Sequence, residues 1–372
     1  MARADQEIAK THECGSGFAR LSTIMIKLPP HPDTDCALLD GRAQDGVDRA
    51  KTWMIRSPPM FPTSSTCRLG IRFFLLTLAL CSVASISATD AREPIPIVVT
   101  IPVLKDLTEQ VGGPFVQVKS LLSGYENEHT YSPKPSDLVA VRKAQLLFEV
   151  GLGLEVWVTS LVKNAGSPKL RVVTTSQDVE LLPDDGEVHE EGHPSTHGAE
   201  SGGNPHIWLD PANVGIMVRH ITRALIDVDP VHAPDFQANQ DAYLQRLAQV
   251  QQELMKRTQR LSDRRFIAHH PAWPYLAKRF GLQIVDTIHT QSGTEPSALH
   301  LQQLITKINS YHIRVIASEI QLSQRLPELL SRDTKARVVV LTTMPGGIPG
   351  TDSYLDMLRY NVLQLVGALE ST

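Results

Sequence analysis

Residues 230–262 read PVHAPDFQANQDAYLQRLAQVQQELMKRTQRLS, with neither glycine nor proline after Pro234. Phe236, Tyr243, Leu244, Leu247, Val250, Leu254 and Leu261 recur at threes and fours, the period of one apolar helix face. One long amphipathic helix is predicted. At about 1.5 Å per residue it would run for more than ~40 Å, longer than a single lobe requires, so it reads as a rigid connector between two.

The chain on either side fits that reading. Before the helix, Pro96–Ile101 is an apolar strand, Val103–Val111 a helix closed by Gly112-Gly113-Pro114, Phe115–Leu121 an alternating strand, Pro135–Lys143 a short helix, and Leu146–Val150 a strand. After it, strands at 266–269, 282–288, 313–319 and 337–342 alternate with helices at 272–280, 298–311, 326–334 and 353–369. Strand and helix in strict alternation predict parallel sheets covered by helices. The expected fold is therefore α/β, with two parallel-sheet lobes, 92–229 and 263–372, joined by a spine helix over 230–262. A ligand of such open sheets sits beyond the carboxyl ends of the strands, here in the cleft between the lobes.

A chain of 372 residues has room for about two such units. Its 42% hydrophobic and 20% charged residues exclude a polytopic membrane protein and a disordered chain alike. Thirty-six basic against 40 acidic residues leave a formal charge of -4, so no overall basic field exists to hold a nucleic-acid backbone. The four cysteines, Cys14, Cys36, Cys67 and Cys81, all precede the lobes. A metal site in the lobes must use histidine and carboxylate, and the chain has 14 histidines.

The N-terminal part reads differently. Basic residues between Arg68 and Arg72 precede an apolar run, Ile71–Ile86, and then small residues around Ser87, Ala88, Thr89 and Ala91. That is the layout of a secretory signal peptide over 68–91, and the run is shorter than the roughly 20 residues that cross a bilayer. Export to the periplasm is expected. A lipid anchor on Cys81 is disfavoured, because bulky Leu80 precedes it where such sites take a small residue. Residues 1–67 read as an extension from a mis-assigned start, with Met54 or Met60 giving an ordinary signal.

Three histidines lie on segments that should reach the cleft. His129 follows the second strand, His206 stands just before a helix in Asn204-Pro205-His206-Ile207-Trp208-Leu209-Asp210-Pro211, and His270 follows the first strand of lobe two. Taken singly each is an ordinary polar residue. Together, at strand exits of both lobes, they have the chemistry of a zinc site, since neutral imidazole is a common ligand for that borderline-soft cation. Between lobe-one strands and His206, the stretch 184–203 is acidic and glycine-bearing, with His189, His193 and His197 four residues apart. It reads as a loop able to capture metal weakly.

These motifs resemble the periplasmic zinc-uptake and metal-binding lipoproteins that serve ABC importers, a family with zinc and manganese branches. The resemblance rests on Glu128-His129-Thr130-Tyr131 with Pro135-Ser136-Asp137, on Pro205–Pro211, on His270–Tyr275 with Phe280-Gly281-Leu282, on Glu295-Pro296-Ser297, and on Ser353–Asn361. It covers about 94–369. It implies a monomeric solute-binding protein, not an enzyme, that holds one divalent cation and delivers it to a membrane permease. His129, His206 and His270 match the family's histidine ligands, and Glu128 occupies the place of a carboxylate beside the first. Where the family usually has aspartate after the last strand, this chain has Thr342, a poor zinc ligand. The fourth position then falls to Glu128, to Glu319 at the end of its strand, or to water; Glu128 or water is favoured, with Glu319 a second-sphere candidate.

Three neutral histidines with at most one carboxylate favour Zn2+, whereas manganese and iron homologues of the same class prefer more oxygen. A three-histidine zinc hydrolase is a competing reading, but no HExxH motif is present. An adhesin role, suggested by the naming of related lipoproteins, finds no support in particular residues.

Overall fold

The computed structural model describes residues 93–183, 203–290 and 294–370. The expected extension (1–67), the signal segment (68–91) and nearly all of the histidine-rich stretch (184–203) lie outside the described residues.

The first sheet is built from β1 (Ile95–Val99), β2 (Val116–Ser120), β3 (Leu146–Glu149) and β4 (Arg171–Thr174), in the order β2-β1-β3-β4 and all parallel. Helices α1 (Pro102–Gly112), α2 (Pro135–Lys143), α3 (Val158–Ala165) and α4 (Pro211–Val228) cover it. The second sheet, β5 (Arg265–Ala268), β6 (Gln283–Thr287), β7 (Val315–Glu319) and β8 (Arg337–Leu341), repeats the order as β6-β5-β7-β8, again all parallel. It carries α6 (Pro274–Phe280), α7 (Ala298–Ser310), α8 (Arg325–Thr334) and α9 (Tyr354–Glu370). The central strands β1 and β7 are almost wholly buried, which is why neither reads as an apolar–polar alternation.

Helix α5 (Ala233–Thr258) is the connector. Its 26 residues give it a length of about 39 Å. Phe236, Gln240, Tyr243, Leu247, Val250, Leu254 and Thr258 form its buried stripe. It is shorter than the 230–262 expected. Pro230–His232 is a separate 3-10 turn, pinned where His232 Nδ1 meets Asp229 Oδ2 at 2.5 Å, and Pro234 and Asp235 open the helix proper. At its other end Lys256 and Arg257 complement the carbonyl end of the dipole.

The stripe of α5 packs on α1 and α4 of the first lobe and α9 of the second. Most of the core of both lobes is accordingly one continuous apolar cluster running from Ile95 to Leu369. A smaller cluster, which includes Ile267, Ile288, Leu304, Ile308 and Leu330, lies under α7 and α8. Polar ties cross between lobes as well: Tyr354 N–H donates to Asp106 on α1 (2.9 Å), and Tyr354 OH donates to the Trp208 carbonyl (2.8 Å).

In each sheet the connections leave the first strand toward one edge and return on its other side. That makes the gap between β1 and β3, and between β5 and β7, a topological switch point where an open α/β sheet accepts ligands.

Candidate metal centre

His129 sits on the loop between β2 and α2, and that loop is fastened along its length. Glu126 accepts from the Ser123 amide (2.8 Å) and hydroxyl (2.7 Å), the His129 amide donates to Asn127 Oδ1 (2.9 Å), and Trp157 Nε1 donates to the Glu128 carbonyl (3.3 Å). Just beyond, Asp137 accepts from Tyr131 OH (2.7 Å) and from the Lys134 amide (2.8 Å), closing the start of α2. Gly124, at φ +103°, lets the loop approach the second lobe. A Cβ there would stand 2.6 Å from the Pro345 carbonyl oxygen.

His206 enters on a 3-10 turn, Ile207–Leu209, that leads into α4. Asp210 caps that helix by accepting from the Ala212 amide (2.8 Å), and is itself held by Arg279 through two contacts at 2.6 and 2.8 Å. Asn204 fixes the ring. Its Oδ1 lies 3.0 Å from both the main-chain N and the Nδ1 of His206, while its amide nitrogen donates to the Pro271 carbonyl (2.5 Å). Those contacts settle which end of the Asn204 amide is oxygen, so His206 carries its proton on Nδ1.

His270 follows β5 at the switch point of the second sheet. Its Nδ1 meets both oxygens of Glu319, at 2.8 and 2.7 Å, and its amide donates to Glu319 Oε1 at 3.2 Å. It too keeps its proton on Nδ1.

The three rings converge. His206 Nε2 is 3.1 Å from His129 Nε2 and 3.3 Å from His270 Nε2, and one ligand atom of each histidine lies within 4.8 Å of the other two. Nδ1 of His206 is held by Asn204 and Nδ1 of His270 by Glu319, so both rings present Nε2 to the same point. A cation placed there would be bound by both. Two nitrogens bound to zinc at about 2.05 Å with a tetrahedral angle stand roughly 3.3 Å apart, the spacing found here.

The electrostatics agree. Burial, reinforced by His270, lowers the pKa of His129 to about 4, and burial holds His206 well below the usual histidine range. Both rings are therefore neutral, the form that ligates metal. For Glu319 burial acts in the opposite sense, but the His270 ring and its hydrogen bonds hold the carboxyl below its ordinary value.

Glu128 lies beside this group and is not part of it among the described residues. Its Oε1 is buried, has no hydrogen-bond partner, and stands 3.8 Å from His206 Nε2. Burial pushes its carboxyl up to about 7, against the pull of His270. Thr342 is occupied elsewhere: its hydroxyl donates to the Met344 carbonyl (2.7 Å) and accepts from Gln321 Nε2 (2.9 Å), which also donates to the Gly124 carbonyl (2.8 Å). A cavity of about 320 Å³, lined by Asn127, His289, Glu295 and Arg325 among others, reaches His270 from solvent. Asn204, Trp157 and Trp273 support the site and were not singled out from sequence. Only the placement of Asn204 two residues before His206 hinted at a role.

The family described as zinc-uptake complex component A, periplasmic, matches residues 97–368. The chain belongs to that family. It is a family of binding components of metal-uptake systems and not of enzymes, which leaves the hydrolase reading without support. The chain is 26% identical over 301 residues to the high-affinity zinc uptake system protein ZnuA of Bacillus subtilis, covering 80% of this chain and 94% of that one. It is also 26% identical over 307 residues to the manganese-binding lipoprotein MntA of Halalkalibacterium halodurans, covering 80% and 97%. A crystal structure of ZnuA superposes with a TM-score of 0.65 at 28% identity, covering 75% of this chain and all of that one. Among the described residues no helix is long and apolar enough to cross a membrane.

Proposed function

We propose that this member of the zinc-uptake family captures Zn2+ through His129, His206 and His270 and delivers it to the permease of an ABC importer. The observation that supports the choice of metal is the convergence of three imidazole nitrogens, with His206 Nε2 3.1 Å from His129 Nε2 and 3.3 Å from His270 Nε2. A set dominated by imidazole nitrogen suits zinc, whereas manganese takes mostly oxygen. Glu128 supplies the fourth ligand. Its unpartnered Oε1 needs to close by about half an ångström to reach the tetrahedral spacing. It also brings the negative charge that three neutral imidazoles lack.

Because His129 and His270 come from different lobes, the cation joins the lobes and signals loading. The protein works as a monomer in the periplasm, exported by residues 68–91, with the histidine-rich stretch gathering metal ahead of His206. Metal analysis of protein purified without added metal tests the reading. About one zinc per chain is expected, lost in His270→Ala. Manganese or iron in its place would transfer the protein to the other branch.

A further inference from the structure

We propose that Tyr275 and Tyr354 are positioning residues for metal capture: their hydroxyls bind the turn carrying His206 to the second lobe, so that His206 and His270 form one pre-set pair and His129 closes on it from the first lobe. This rests on the three-histidine reading above and deepens it.

In chain order His206 belongs to the first lobe, ahead of α4 and the spine. Its polar ties run the other way. Before the ring, Tyr275 OH donates to the Asn204 carbonyl (2.9 Å), and the Asn204 amide nitrogen donates to the Pro271 carbonyl (2.5 Å). After it, Tyr354 OH donates to the Trp208 carbonyl (2.8 Å), and Trp208 Nε1 donates to the Thr343 carbonyl (2.7 Å). Pro271, Tyr275, Thr343 and Tyr354 are all residues of the second lobe. The chain is thus clamped two positions before His206 and two positions after it. Pro271 and Tyr275 follow His270 directly, so the first clamp joins the two ligand-bearing segments to each other.

Tyr275 does more than bridge. The Leu182 amide donates to its hydroxyl (3.0 Å) while the Asn204 main-chain N–H donates to the Leu182 carbonyl (2.8 Å), which closes a ring of hydrogen bonds at the point where the chain enters the His206 turn. Asn204, Trp208, Tyr275 and Tyr354 are each no more than 2% exposed, so no water stands ready to replace a broken bond.

His129 is held differently. Its amide bonds to Asn127, and Trp157 holds the carbonyl of Glu128, both from the first lobe. A crossing bond, from Gln321 Nε2 to the Gly124 carbonyl, lies five residues away from the ring. The ion's bonds to His206 and His270 therefore need no movement of one lobe against the other, whereas the bond to His129 is made between lobes. Two ligands fixed beforehand spare the ion the cost of ordering them.

The test uses the full chain stripped of metal with a chelator. Tyr275→Phe and Tyr354→Phe keep each ring and remove its hydroxyl. Each should weaken zinc binding about tenfold or more in competition with a chromophoric chelator, and shift the ligand-field spectrum of the cobalt-substituted protein. Tyr243→Phe is the control: it removes a buried spine hydroxyl that has no partner, and should change neither. Zinc affinity should also fall less in His129→Ala, which leaves the pair intact, than in His206→Ala. Unchanged affinity and spectrum in folded Tyr275→Phe and Tyr354→Phe, equal losses in Tyr243→Phe, or a loss in His129→Ala as large as in His206→Ala would overturn the proposal. If Tyr354→Phe does not fold, Tyr275→Phe decides alone. The underlying reading fails in a different way, by zinc binding that survives His270→Ala.

Discussion

Asn204 Oδ1 stands 3.0 Å from both the amide nitrogen and the Nδ1 of His206, and the other end of the same side chain holds the carbonyl of Pro271, next to His270. One buried amide therefore orients one candidate ligand and anchors the segment that carries another. Asn204→Ala should weaken zinc binding by about 10- to 100-fold through the freed His206 ring. It should also cost about 1–3 kcal/mol of stability, because buried donors lose their acceptor. Chelator competition and denaturant unfolding read the two effects separately.

Glu128 can be distinguished from water as the fourth ligand by substitution. Glu128→Gln preserves shape and removes the anionic oxygen. Zinc affinity is expected to fall about tenfold or more, the scale of one lost charge-assisted contact of roughly 1.5–3 kcal/mol. In the cobalt-substituted protein the ligand-field spectrum should shift with this substitution. Unchanged affinity and spectrum would assign the position to water.

The pH dependence of the metal-free protein follows from the buried rings. The folded-state pKa of His129, about 4, and that of His206 lie below the ordinary histidine value of 6.5. The unfolded chain therefore takes up protons first as the pH falls. Their share of stability is complete above about pH 6.5 and is lost progressively as the pH drops toward 4. Urea unfolding between pH 7.5 and 4.5 should show that decline, and His129→Asn should make it shallower.

Arg279 tests a contact next to the site that touches no ligand. It holds Asp210, which caps the helix following His206. Arg279→Ala leaves a buried carboxylate without its partner and should cost about 2 kcal/mol. Zinc affinity should change little, since Asn204 and not Asp210 orients the ring.

The spine and both sheets were legible because their signals are local. The stripe of α5 repeats at helical spacing, and β1 is an apolar run of strand length bounded by turns. Elements with weak local signal were missed. β4 (Arg171–Thr174) is an edge strand with no fully buried residue, and α3 begins without a side-chain cap. The three histidines could be picked out because each follows or precedes a regular element where a cleft opens. The pairing of His270 with Glu319 could not, because 49 residues separate them and only strand register brings them level. Asn204 was hidden for the same reason, its second partner Pro271 lying 67 residues away.

Zinc should also stabilise the fold by mass action, by about 4 kcal/mol at a thousandfold excess over the dissociation constant. The melting temperature should rise accordingly, and a chelator should reverse the rise.

X-ray absorption at the zinc edge, on protein loaded with one equivalent, tests the meeting of His129, His206 and His270 most directly. The expected first shell contains three imidazole nitrogens at about 2.0–2.1 Å with one further light ligand, and His206→Ala reduces the imidazole count. A shell with one imidazole or none, or an oxygen-dominated six-coordinate shell, would contradict it.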